Sequence, residues 1–70
     1  MKLNSAQLKR LVKAIYGDEV IQNALFAVFL EGVPVYRAEQ LFNQKHNTLK
    51  AKVNRIKKDA ALIETVMDIK

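Results

Sequence analysis

Seventy residues carry a net charge of +5, one histidine and no cysteine, with a pI of about 9.8, which excludes disulfides, thiolate metal sites and a cysteine nucleophile. A single domain of this size buries only about 60% of the surface its unfolded chain exposes, so it needs efficient helix packing or a second subunit. The basic balance favours a polyanionic partner, nucleic acid before an anionic membrane.

The stretch "LNSAQL" reads as a helix start. Asn4 or Ser5 can cap it, Gln7 stands three residues after Asn4 as in a capping box, and Leu3 and Leu8 can staple across the cap. Leu8, Leu11, Val12 and Ile15 follow at helical spacing until Gly17 ends the element. Asp18 caps a second helix in which Ile21, Leu25, Val28 and Phe29 share a face. Ala24, Phe26, Ala27 and Leu30 make that helix apolar nearly all round, as suits a central position. In "EGVP", Gly32 can take the left-handed cap conformation and Pro34 suits the first turn of the next helix. The short third helix "VYRAEQLF" is expected to point Ala38, Leu41 and Phe42 inward. A turn of about four residues centred on Asn43, the non-glycine type that best tolerates positive φ, then leads to a fourth helix. That helix is expected to start near His46 or Asn47 and to run to about Ile69. The β-prone runs "AVFL" and "VPVY" both fall inside helical periods. The expected fold is all-α, a small four-helix domain over residues 1–70.

From Leu41 to Lys58, "LFNQKHNTLKAKVNRIKK", six of eighteen residues are Lys or Arg and none is acidic. Leu49, Val53, Ile56 and Ala60 lie within about 60° of one another at 100° per residue and form a seam for burial. Phe29, Leu25, Phe42, Leu49 and Val53 are the expected shared core. The opposite face of the fourth helix carries Asn47, Ala51, Asn54 and Lys58, flanked by Thr48, Lys50 and Arg55. Asn pairs bidentately with adenine, Arg or Lys with guanine, and Ala meets the thymine methyl while letting a helix sit close. Asn47, Thr48, Lys50, Ala51, Asn54 and Arg55 are therefore the candidate base readers. Arg37, Lys45, His46, Lys52, Lys57 and Lys58 are the candidate phosphate contacts; His46 can equally be a cap or plain surface. A merely solvated face would alternate sign to form i,i+4 pairs, and this one does not. A short helix, a turn, and a helix opening on small polar residues make a helix-turn-helix layout over about 35–56.

The stretch "FLEGVPVYRAEQLFNQKHNTLKAKVNRI" resembles, without a gap, the helix-turn-helix segment of TrfB/KorA-type plasmid repressors and of PapB-type fimbrial regulators. In both families a Gly stands shortly before the first helix of the motif. An aromatic or aliphatic residue and a Gly or Asn mark the turn, as Phe42 and Asn43 do here. "LKAKVNRI" matches the apolar, polar, polar, polar, apolar pattern that follows and ends in a basic and a further apolar residue. "LNSAQLKRLVKAI" echoes the leading helix of the plasmid repressors, so the likeness covers about Leu3 to Ile56. Two positions depart from the pattern. Glu39 stands where a small residue commonly lets the two helices close, and Gln44 replaces the apolar residue usual after the turn. Either a looser turn or neutralisation of Glu39 by Arg37 and Lys45 would accommodate them. The resemblance implies a homodimeric transcriptional repressor on a short palindrome.

The leading expectation is thus a sequence-specific double-stranded DNA-binding repressor of plasmid or phage type, with no cofactor and no enzymatic activity. The third helix would brace across the backbone and the fourth would enter the major groove. Leu62, Val66 and Ile69 form a second apolar stripe beside Ala60, Ile63 and Met67. Within the extension 59–70, Leu62, Val66, Met67 and Ile69 are the expected homodimer contact. The runner-up is a small protein-interaction or inhibitor module that uses the same late helix on a foreign partner. Catalysis lacks an acid pair near His46 and a Gly-rich phosphate loop, and a metal site lacks a second histidine. RNA binding lacks aromatics interleaved with the basic face. A membrane-surface helix would want Phe or Trp opposite the lysines. No apolar run approaches the roughly 20 residues of a membrane span, and "MKLNSAQLKR" lacks the apolar core of a signal peptide, so a soluble cytoplasmic chain is expected.

Overall fold

Four helices make up the computed structural model, which describes residues 3–68: α1 (Ser5–Ile15), α2 (Glu19–Leu30), α3 (Val35–Leu41) and α4 (Thr48–Asp68). No strand occurs among the described residues, and the chain is all-α. None of these helices is long and apolar enough to cross a membrane.

The helix boundaries follow from local hydrogen bonding. Asn4 Oδ1 accepts the Gln7 amide at 2.8 Å while Gln7 Oε1 accepts the Asn4 amide at 3.0 Å, a complete capping box on α1. That helix ends because Tyr16 turns extended. Gly17 then follows the break without a positive φ, unlike the expected glycine stop. Asp18 Oδ1 accepts the amides of Val20 and Ile21 and starts α2. At the other end Gly32 has φ +72°, and the amides of Glu31 and Val33 both donate to the Ala27 carbonyl. Pro34 stands one place ahead of the expected first turn, as the N-cap of α3, and its carbonyl accepts the Ala38 amide at 2.9 Å.

Helix α2 packs against all three others, as its nearly uniform apolar surface requires. The core joins Leu8 and Val12 of α1, Ile21, Ala24 and Leu25 of α2, Ala38 of α3, and Leu49, Val53 and Ile56 of α4. Ala60 extends the α4 seam and is also buried. Phe29 and Phe42 are half-buried and pack on the edge of this cluster, not within it.

Two expectations about α3 and its exit are corrected. Leu41 does not point inward but is 61% exposed. Ala38 and Glu39 are the buried residues of α3 and set its inward direction. At 100° per residue Leu41 lies about 110° from the middle of that pair. The connection to α4 comprises residues 42–47, six residues and not about four, and α4 begins at Thr48, next to the expected start near His46 or Asn47. Two residues in the connection are left-handed, Asn43 at φ 55° and Asn47 at φ 68°. They make two successive turns. Gln44 N–H donates to the Glu39 carbonyl at 2.7 Å in the first, and Thr48 N–H to the Lys45 carbonyl at 3.1 Å in the second.

The phase of α4 is testable through two leucines. Leu49→Ala removes a side chain with no exposed surface and should cost about 2–5 kcal/mol, a large part of a small domain's stability. Leu41→Ala should change stability by no more than about 0.5 kcal/mol. Urea unfolding of both variants checks this; equal losses would overturn the orientation given to α3.

Candidate nucleic-acid interface

The buried seam of α4 leaves its opposite side to solvent. Ala51, Asn54, Arg55 and Lys58 are exposed along it, Lys50 and Lys57 are exposed toward its flank, and Asn47 is exposed in the turn just before it. Thr48 opens the helix half-buried, with its hydroxyl donating to the Lys45 carbonyl at 2.6 Å. Lys52 lies to the side and is half-buried, while Lys45 and His46 are exposed in the connection. On α3, Arg37 is exposed together with Tyr36, Gln40 and Leu41. The structure therefore gathers Asn47, Lys50, Ala51, Asn54 and Lys58 on one open surface, with cations around its rim.

The start of α4 is held from outside the helix. Glu39 is 4% exposed, and its Oε2 accepts the Leu49 amide at 3.0 Å. The left-handed Asn47 lacks the extended backbone of an ordinary capping residue. The carboxylate of α3 instead supplies the acceptor that the first turn of α4 needs. Its negative charge also meets the positive end of the helix dipole. Of the two accommodations expected for Glu39, the looser turn is the one seen; neither Arg37 nor Lys45 makes an ion pair with it among the described residues. The longer turn leaves room for this arrangement. Gln44 is tolerated after the turn because its Nε2 donates to the Phe42 carbonyl at 3.1 Å. No buried side-chain nitrogen or oxygen among the described residues lacks a hydrogen bond.

Arg55 is the one candidate base reader that bonds an acid. Its Nε donates to Asp59 Oδ2 at 3.0 Å. Both charges bear on the Tyr16 phenol at the end of α1. Burial raises its pKa above the usual tyrosine value, the Arg55 charge acts to lower it, and Asp59 acts to raise it.

At the far end of α4, Leu62, Val66 and Met67 are exposed. Met67 and Ile63 line a shallow groove of about 290 Å³ with Leu3, Gln7, Arg10 and Leu11 of the α1 side. Ile69, the fourth expected dimer residue, lies outside the described residues. No protein-family model, curated protein or solved structure matches the chain.

Reading the sequence missed two residues of this surface and the role of one buried beside it. Tyr36 and Gln40 are spaced i,i+4 and flank Arg37, a signal present in the chain. For Glu39 the one signal was its departure from the small residue usual at that position; its role was not readable, because its partner is ten residues away and meets it only in the folded state.

Glu39→Ala should destabilise the protein by about 1–3 kcal/mol, because a charge-assisted bond to a buried amide is lost. Hydrogen exchange at the Leu49 amide should accelerate beyond what that global loss explains. Glu39→Gln retains an acceptor and should cost less than the alanine variant. An unchanged Leu49 exchange rate in Glu39→Ala would show that the bond does not hold the helix start.

Proposed function

We propose that this chain binds double-stranded DNA sequence-specifically as a homodimer, laying α4 in the major groove and acting as a cytoplasmic transcriptional repressor. The observation that carries the reading is the exposed face of α4, where amide, methyl and cationic side chains stand together while the acid of adjoining α3, Glu39, is buried. A helix about 10–12 Å across matches the roughly 12 Å width of the groove. Ala51 at the centre of that face permits close approach to the bases. Asn47, Lys50, Asn54 and Arg55 are the base readers in this reading, with Thr48 at the helix start. Arg37, Lys45, His46, Lys52, Lys57 and Lys58 would hold phosphates, and α3 would brace across the backbone as in a helix-turn-helix. The resemblance to TrfB/KorA-type repressors supports repression as the outcome.

The exposed Leu62, Val66 and Met67 support self-association, which would present two recognition helices to half-sites one turn, roughly 34 Å, apart. The same patch favours a second reading, in which it holds a foreign protein and the basic face is incidental. Salt separates the two. DNA binding weakens steeply with salt, whereas an apolar contact does not.

The test is selection of a preferred duplex from a random pool, followed by affinities of variants for that duplex and for random DNA at several salt concentrations. Asn47→Ala and Lys50→Ala should each cost about 1–3 kcal/mol on the preferred duplex and little on random DNA. Lys57→Ala should weaken both alike and lower the slope of log affinity against log salt by about one. Equal losses on both duplexes for Asn47→Ala and Lys50→Ala would mean that α4 lies on the backbone and not in the groove. Sedimentation should show a dimer at micromolar concentration; a monomer both free and on DNA would refute the two-fold arrangement.

A further inference from the structure

We propose, on the basis of the DNA-binding reading above, that Asp59 is a positioning residue for Arg55, presenting its guanidinium to a guanine and keeping it off the backbone phosphates. The pair sits one helical turn apart on the exposed side of α4, with Arg55 Nε 3.0 Å from Asp59 Oδ2. That bond uses one of the five N–H donors of the guanidinium. The terminal nitrogens carry the others, and two of these side by side are what the O6 and N7 of guanine require.

Exposure fits this division of labour. The Arg55 side chain is 59% exposed and the Asp59 side chain 28%, so the acid is tucked against the protein while the cation reaches solvent. Tyr16, at the end of α1, feels both charges, Arg55 acting to lower its pKa and Asp59 to raise it. Asp59 is also the first acid after the acid-free run that ends at Lys58, so it stands where the candidate interface stops.

Stability is a poor account of the contact. Exposed i,i+4 pairs contribute little, and the order here, cation before acid along the helix, is the weaker of the two. An unrestrained arginine swings to the nearest phosphate, where it adds affinity for any sequence. A carboxylate beside it repels those phosphates and limits the orientations of the side chain. Asp59 would thereby lower affinity for random DNA and raise the contrast with the preferred duplex.

The experiment uses the full chain, a duplex selected by it from a random-sequence pool, and a random duplex of equal length. Asp59→Asn should lower the ratio of the two affinities about tenfold. Most of the change should come from stronger binding of the random duplex, with a salt slope steeper by up to about one. Asp59→Glu, which keeps the charge within reach, should retain the ratio. In an Arg55→Ala background, Asp59→Asn should leave the ratio unchanged. Circular dichroism on each variant controls for folding, and Asp59→Glu against Asp59→Gln replaces the first comparison should the Asn variant lose helix. A ratio unaltered by Asp59→Asn, a glutamate variant that behaves like the asparagine one, or an undiminished effect without Arg55 would each overturn the role of Asp59 while leaving DNA binding in place. A wild-type chain that selects no duplex would remove the DNA-binding reading itself.

Discussion

A single hydrogen bond, from the Leu49 amide to the buried carboxylate of Glu39, ties α3 to the start of α4. Several other features follow from the need to make it. A carboxylate taken out of water must find a donor, and the first turn of a helix offers amides with no partner of their own. Turning Glu39 inward rotates Leu41 outward, which is why a leucine in a small domain stands in solvent. Reaching α4 from that orientation takes six residues and two left-handed asparagines. The bond also sets where α4 begins, and so which of its side chains follow the turn.

Around that joint the packing is ordinary and economical. Helix α2 touches every other element, and α4 adds Leu49, Val53, Ile56 and Ala60 along one seam. Because the seam takes all the apolar residues between 49 and 60 except Ala51, the other side of those turns is left to polar and cationic groups. The open surface is thus the complement of the core. Its composition is decided by the same period that stabilises the fold. Beyond Ala60 the period is no longer fully covered, and Leu62, Val66 and Met67 remain in solvent.

Much of this was legible in the chain because it is local. The Asn4 box, the Asp18 cap and the Gly32 stop each depend on residues within about one or two turns of one another, and the α4 seam on the period of a single helix. Asn43 was readable for the same reason. What escaped was tertiary. The likeness already marked Glu39 as standing where a small residue lets the two helices close, but nothing local to it names an acceptor's role, and the apolar character of Leu41 made that residue the natural inward one. Asn47 escaped too, because a left-handed residue directly before a helix competes with the more usual reading of Asn as the extended cap. At the candidate interface, the exposure of Lys50, Asn54 and Arg55 followed from the seam. The bond from Arg55 to Asp59 lay just past the acid-free run that drew attention to the region.

Helix α4 is also a ruler. It is continuous from Thr48 to Asp68 and holds no Gly or Pro at which it would kink. Asn54 and Val66 are twelve residues apart, about 18 Å at 1.5 Å per residue. Two such arms meeting near Val66 would set their reading points no more than about 36 Å apart, close to one turn of the duplex. In the proposed dimer the spacing of sites would then be a property of one helix's length, and inserting a base pair between half-sites would be met by rigid rod and not by a linker able to follow.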